Sequence, residues 1–319
     1  MSKNSKSRAR KGQKKKGLQW WAIPVALLTF IIILSLTYLA FQTAHQTPPT
    51  LWTLDNQSRL GFEQREPVSG VSSVIETADN YTVEKVVYKS FGDNVYGLLR
   101  IPKNVTNPPV VIVLPAATVN KEADAPMAKA LASWGYATLT LDERGNSGET
   151  PGSSAMDLNS GYQAFTVNGN PVQYAQVFDV LQGYEYLKTR SDLNGSNVAV
   201  LGESMGGRFA IVSAALQPGM KGVFAVSSGP YGLEKTGNPT TDAYATSVEP
   251  ATYLSMLPPR KLAMFHFTDD QVIPVAQGKA LYEAAGEPKA WYEYNGTVHG
   301  VYSDIYAEDL RAELKAVLG

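Results

Sequence analysis

The sequence predicts an α/β protein, a mostly parallel twisted sheet with helices on both faces. Three observations carry this. From Val110 onward, short apolar runs alternate with longer stretches at helical spacing, and that alternation demands a sheet wound by crossover helices. The runs are apolar at every position, as in strands covered on both faces. Finally, Val198–Leu201 passes straight into Gly202-Glu203-Ser204-Met205-Gly206-Gly207 and then into a helical stretch ending before Pro218-Gly219, which is a sharp strand–turn–helix junction.

The N-terminal elements come first in order. Lys3, Lys6, Arg8, Arg10, Lys11, Lys14, Lys15 and Lys16 stand in the first 43 residues with no acidic residue among them. The overall net charge of −1 therefore hides an acidic remainder, 20 basic against 29 acidic residues. An acidic body argues against nucleic-acid binding. Residues 1–17 read as a basic cytoplasmic tail. Leu18 to Phe41 holds no charge, with Trp20 and Trp21 at one edge and Tyr38 near the other. This length reaches roughly 36 Å as a helix, against about 30 Å of hydrocarbon. Residues 18–41 are therefore expected to be an uncleaved signal-anchor helix. The run exceeds a signal-peptide apolar region, and no Ala pair at cleavage-site spacing comes after it. The positive charge in front predicts a cytoplasmic N-terminus and a body outside the plasma membrane.

Residues 42–80 are polar and carry Pro48, Pro49 and Pro67, so they read as a stalk or lead-in. Trp52, Leu54, Leu60 and Phe62 mark places where it packs on the body. Residues 81–319 read as a single α/β domain. Tyr81–Ser90 and Val95–Ile101 are β-rich around Phe91-Gly92-Asp93-Asn94 and predict an antiparallel hairpin. Val110–Leu114 and Ala137–Leu141 are buried strands, with a helix over Met127–Trp134 between them. Gln173–Lys188 is a long helix, with Val177, Val180, Leu181, Tyr184 and Leu187 at helical spacing. Further strands lie at Val223–Val226, Leu262–Phe267 and Trp291–Tyr294. Further helices lie at Val275–Ala285 and Ile305–Leu318. Ser147–Pro171 and Pro230–Pro250 are left as two small caps.

Ligands of such sheets bind at the carboxyl ends of the strands. Ser204 falls there, as do the loops after Leu114, Phe267 and Tyr294. Gly202 to Gly206 fits G-x-S-x-G, and its strand–turn–helix setting is the one that gives that motif meaning. A dinucleotide fingerprint fails because Ser204 stands where glycine is needed. A phosphate loop fails because Arg208 and Phe209 replace its lysine and hydroxyl. A serine needs a base, and the chain has three histidines. His45 lies just past the span. His266 sits inside a strand and reads as a wall or core residue. His299, in the glycine-bearing loop Asn295–Gly300, is the candidate base. The base needs a carboxylate, offered by Asp269 or Asp270 in Thr268-Asp269-Asp270-Gln271-Val272-Ile273-Pro274. Both also suit a helix-capping role. The order Ser204, Asp270, His299 is the one this junction requires.

These residues resemble the α/β-hydrolase fold. Within it the likeness is to dienelactone-hydrolase-like esterases and to the catalytic domain of prolyl-oligopeptidase-like serine hydrolases. It rests on Gly202–Gly207, Thr268–Pro274 and His299-Gly300. Asp142-Glu143-Arg144-Gly145-Asn146-Ser147-Gly148 is similar to the family's D-x-R-G-x-G segment. The resemblance spans roughly Tyr81 to Gly319. It implies Ser204 as nucleophile, Asp270 as orienting acid and His299 as general base. Met205 is expected to give one oxyanion-hole N–H and Ala117 the second, with Ala116 next. Where the family carries His-Gly after its third strand, this chain has Leu114-Pro115-Ala116-Ala117, and Pro115 has no N–H to give. No metal or cofactor is implied, because there is no ligand cluster and no cysteine. The expectation is an outward-facing, membrane-anchored serine hydrolase whose substrate is a small acyl ester or short peptide. Acyl transfer or peptide cleavage on the same residues is the alternative within the class. A catalytically inactive binding module is the alternative outside it.

Overall fold

The computed structural model describes residues 22–44, 51–62, 68 and 70–319. The basic tail, Trp20, Trp21, His45, Pro48, Pro49 and Pro67 lie outside the described residues. The chain divides into two units, residues 1–49 and 50–319.

In the first unit, α1 (Ala22–Ala44) is a helix of 23 residues with no charged residue in its first or last turn. Its hydroxyls turn inward to its own backbone. Thr29 Oγ1 donates to Val25 O at 2.8 Å, and Thr37 Oγ1 to Ile33 O at 3.0 Å, so neither polar group needs water. Among the described residues, no helix is long and apolar enough to cross a membrane.

The second unit opens with two short strands, β1 (Thr53–Leu54) and β2 (Leu60–Gly61), paired antiparallel. After them come β3 (Gly70–Thr77), β4 (Tyr81–Ser90), β5 (Asp93–Pro102) and β6 (Pro109–Leu114). Next are α2 (Ala125–Ser133), β7 (Ala137–Leu141), α3 (Leu158–Thr166), α4 (Val172–Lys188) and β8 (Asn194–Glu203). The remainder is α5 (Met205–Leu216), β9 (Gly222–Val226), α6 (Pro239–Val248), a 3₁₀ helix (Pro250–Met256), β10 (Lys261–Phe267), α7 (Val275–Ala284), β11 (Lys289–Tyr294) and α8 (Asp304–Leu318). Nine strands form one sheet in the order β11-β10-β9-β8-β6-β7-β5-β4-β3. The pairs from β11 to β7 are parallel. The β7–β5, β5–β4 and β4–β3 pairs are antiparallel.

Alternation along the central strands sorts the core into two layers. Val110, Ile112, Leu114, Val198 and Val200 pack with Val177, Leu181 and Leu187 of α4 and Phe209 and Ile211 of α5. Val111, Val113, Ala199 and Leu201 pack with Met127 and Leu131 of α2 and Leu310 and Leu314 of α8. Each such side chain contributes about 1.5–3 kcal/mol on full burial.

The chain leaves β6 for β7 on one side and then crosses to β8 on the other. This reversal of strand order opens a crevice at the strand ends, between the loop after β6 and the turn after β8.

Part of the segment read as a lead-in joins the body. Trp52, 9 % exposed, stacks on Phe165 at 5.3 Å and donates from Nε1 to Gly169 O at 2.8 Å. Leu60 is buried, and β3 lies at the sheet edge. The β3–β4 register slips between Val74 and Glu76, a bulge. The two expected caps fold as α3 and α6 and touch through Tyr162 Oη and Thr241 Oγ1, 3.0 Å apart. The helix after the glycine turn begins at Met205, directly after Ser204.

Candidate active site

β8 ends in a turn tight enough to force its central residue out of ordinary backbone space. Ser204 has φ +52° and ψ −112°, a conformation costing on the order of 1–3 kcal/mol for a residue with a Cβ. Neighbouring bonds hold it there. Ser204 N–H donates to Val226 O at 2.8 Å. Ser228 Oγ and Gly207 N–H donate to Ser204 O at 2.8 and 3.1 Å. Glycine is obligatory on either side. A Cβ on Gly202 would lie 2.2 Å from Gly206 O, and one on Gly206 would lie 2.1 Å from Leu114 O. The serine hydroxyl thus projects over the sheet edge, at the positive end of α5.

Ser204, Asp270 and His299 meet. His299 Nε2 lies 2.8 Å from Ser204 Oγ, and Nδ1 lies 2.7 Å from Asp270 Oδ2. A carboxylate only accepts, so Nδ1 carries the proton and Nε2 is left to accept the serine O–H. The Asp270 side chain is fully buried. Its Oδ1 accepts Val272 N–H at 2.9 Å and Ile273 N–H at 3.0 Å, which fixes the carboxyl plane. Asp269 instead points outward and accepts from Thr268 Oγ1 at 3.1 Å. His266 is fully buried. Its Nε2 lies 2.8 Å from Ile273 O and must donate to it. Burial holds this imidazole below its ordinary pKa.

A second loop faces the serine. Ala116, Ala117, Met156, Arg208, Val272 and Ile273 enclose, with Ser204 and His299, a cavity of about 240 Å³. Met205 N–H belongs to the first turn of α5 and has no intrahelical partner. Ala117 stands in the loop opposite it. Asn146 clamps this loop. Its Oδ1 accepts Thr118 N–H at 2.8 Å, and its Nδ2 donates to Ala116 O and Val119 O at 3.1 and 2.8 Å. The segment carrying Asn146 is itself pinned. Asp142 pairs with the buried Lys121 at 2.6 Å. Arg144 forks onto Asp179 at 2.7 and 3.0 Å.

Behind the serine lie two buried carboxyls, Asp124 at the start of α2 and Glu203 beside Ser204, 4 % and 1 % exposed. Burial pushes both upward, Asp124 to about 7, so the pair retains a proton well above the ordinary carboxylate range. Among the described residues no group of three or more His, Asp or Glu is placed to hold a metal ion.

Residues 53–231, more than half of the chain, match the family described as acetyl xylan esterase, AXE1. The chain belongs to the acetyl xylan esterase family. It is accordingly a serine hydrolase of carboxylesterase type, acting on carboxylic esters as a class. No curated protein matches the sequence. Solved structures that resemble it include an acetyl xylan esterase from Paenibacillus sp. R4, with TM-score 0.68 and 18 % identity, over 79 % of this chain and 90 % of that one. A glucuronoyl esterase from Solibacter usitatus aligns with TM-score 0.61 and 15 % identity, over 85 % of this chain and 90 % of that one. Est1E from Butyrivibrio proteoclasticus, solved with ferulic acid bound, gives TM-score 0.54 and 17 % identity, over 72 % of this chain and 95 % of that one. At these identities the likeness is one of fold, the α/β-hydrolase fold that the motifs resemble.

The family match takes in the lead-in from Thr53, the Asn146 segment and the Ser204 turn. It ends before Asp270 and His299, so those two rest on geometry. Asn146, Met156, Ser228 and Arg208 are site residues that the sequence alone did not single out. For Asn146 the available signal was its place in the D-x-R-G segment. For Arg208 it was the four-residue spacing from Ser204 along a helix.

Proposed function

We propose that this member of the acetyl xylan esterase family is a membrane-anchored, outward-facing serine esterase for small acyl esters, acetyl esters foremost. One observation carries the chemistry: the unbroken relay from Ser204 Oγ through His299 to Asp270 at 2.8 and 2.7 Å. In this reading Ser204 Oγ attacks the ester carbonyl carbon while its proton passes to His299 Nε2. Asp270 stabilises the imidazolium and keeps Nδ1 protonated. The N–H groups of Met205 and Ala117 receive the charge that develops on the carbonyl oxygen. Collapse expels the alcohol, which takes the proton from His299, and leaves an acyl-serine. Water then attacks the acyl carbon while giving a proton to His299, and the acid leaves as Ser204 Oγ takes that proton back. The clamp of Asn146 on the Ala117 loop replaces the stiffness that the missing His-Gly would have lent.

A fluorophosphonate probe tests the nucleophile. Wild-type protein should be labelled and Ser204→Ala should not. Label persisting on Ser204→Ala would remove Ser204 from the role.

The anchor reading is supported by the eight cations ahead of an uncharged stretch from Leu18 to Phe41, and by the helical conformation of Ala22–Ala44. Protease added to intact cells should digest the body at once. A body protected until the cells are lysed would overturn the outward orientation.

A further inference from the structure

Arg208 lies one helical turn beyond Ser204 on α5, a spacing that puts two side chains on one face. It lines the same cavity as Ser204 and His299 and is only 8 % exposed. Its planar guanidinium offers five N–H donors, and these are incompletely used. Nε donates to Gly229 O at 2.9 Å and Nη2 to Pro230 O at 3.3 Å. Nη1 meets only the thioether of Met156, 3.9 Å away, which is a weak acceptor. The guanidinium carbon sits 4.1 Å from the centre of the Tyr231 ring, so its position is held without a counter-ion.

No ion pair to Arg208 exists among the described residues. Arg144 shows the contrast, bound at 2.7 Å to both Asp93 and Asp179. Two carboxyls are found near Tyr231, and neither neutralises Arg208. Glu249 is occupied by Tyr231 N–H and Gly232 N–H at 3.2 and 3.0 Å. Glu143 is buried, and burial pushes its carboxyl well above the ordinary carboxylate range. A desolvated cation lacking a partner is costly to fold around. Here that cost falls in the wall of the cavity that holds the nucleophile.

The geometry points to Arg208 as the seat of a substrate carboxylate, and so to anionic esters as the preferred substrates. We place the charge on the acyl part, a few bonds from the reacting carbonyl. The alcohol leaves with a proton from His299, so a group seated on Arg208 is assigned to the acyl part that stays on Ser204; Arg208 lines that cavity with Met156, Val272 and Ile273. Half-esters of short dicarboxylic acids have this form. The inference rests on the esterase reading and adds the substrate class to it.

The test compares monoethyl succinate with ethyl butanoate by ethanol release, on wild type, Arg208→Gln and Arg208→Lys. Wild type should favour the succinate half-ester. In Arg208→Gln the ratio of the two kcat/KM values should fall on the order of 10- to 100-fold, as loss of a charge-assisted bond does. Arg208→Lys should restore part of it. Should the variants fail to fold, wild type alone decides, because its preference should shrink as salt rises from about 0.05 to 0.5 M. A wild type that takes ethyl butanoate as readily as the half-ester, or a ratio unmoved in Arg208→Gln, overturns the proposal and leaves the esterase reading standing. Turnover of neither ester, with no phosphonate label on Ser204, removes both.

Discussion

His266 and His299 approach the same oxygen, Asp270 Oδ2, at 3.6 and 2.7 Å, from a strand and from a loop. What separates them is the partner of each ring's nitrogens. His266 gives its Nε2 proton to Ile273 O, stacks on Trp291 at 5.8 Å, and leaves Nδ1 buried with no partner among the described residues. A Cβ on Gly278 would lie 2.5 Å from that nitrogen, so the ring is wedged in place. It is a neutral strut. His299 has a carboxylate on one nitrogen and a hydroxyl on the other, and its side chain keeps a path to solvent. In the proposed reaction it would take the serine proton, with Asp270 beside the cation, and hand it to the departing alcohol. Closeness to an acid does not make a base; the second nitrogen decides.

The largest effect expected from this contrast is at Asp270. Asp270→Asn can still accept Val272 and Ile273 N–H through its carbonyl. Its amide would then face His299 Nδ1 and force the proton onto Nε2, the wrong tautomer for taking one from Ser204. Turnover should fall on the order of 10⁴-fold with little change in Tm. Asp269→Asn, whose carboxylate meets only Thr268 Oγ1 and solvent, should keep most activity. Kinetics and melting curves on the two variants check this, and an inactive Asp269→Asn beside an active Asp270→Asn would reverse the assignment.

A middling effect is expected at His266. His266→Gln trades a packed donor for a floppy one and should cost about 1–3 kcal/mol of stability, while kcat/KM stays within roughly tenfold. His299→Ala should do the opposite, abolishing turnover while barely moving Tm. If His266→Gln abolished turnover in a folded protein, the strut and the base would have to exchange roles.

The smallest effects are pH slopes. His266 binds a proton less readily folded than unfolded, where its pKa is about 6.5. Its contribution is therefore complete above that value, and stability falls as pH drops below it. Asp124 runs the other way. Its folded carboxyl is raised to about 7, so the unfolded chain releases the proton first and stability falls as pH climbs from about 4 towards 7. Denaturant midpoints measured across pH 4–8 should show both slopes. His266→Gln should flatten the loss on the acid side and Asp124→Asn the fall towards neutrality.

Much of this was legible in advance for identifiable reasons. The parallel strands are apolar at every position, so their order along the chain is plain. Ser204 is flanked by glycines no other residue could replace, and three histidines left few candidates for the base. The antiparallel edge was harder. All but one residue of β3 is exposed, so no face of it alternates. Helix α6 carries a sequence, PTTDAYATSV, with little apolar periodicity, and α3, LNSGYQAFT, is short, with only Leu158, Tyr162 and Phe165 at helical spacing. Their folding depends on Trp52, Phe165, Tyr174 and Tyr244 stacking across distant segments. Asn146 and Arg208 were hidden for a related reason. Asn146 acts on a loop distant from it in sequence, and the four-residue spacing of Arg208 from Ser204 gains meaning only once the cavity they share has formed.

The slip in register between Val74 and Glu76 has a consequence for how copies of this protein meet one another. β3 ends the sheet, with Val71, Val74 and Ile75 facing outward at 71, 60 and 56 % exposure. A straight strand of that kind offers an incoming chain an unbroken row of backbone donors and acceptors. The bulge interrupts the row midway and twists the remaining half of the strand, so a partner aligned with one half is out of step with the other. The irregular residue thus works as a stop against end-on growth of the sheet from molecule to molecule, at the place where the side chains alone would invite it.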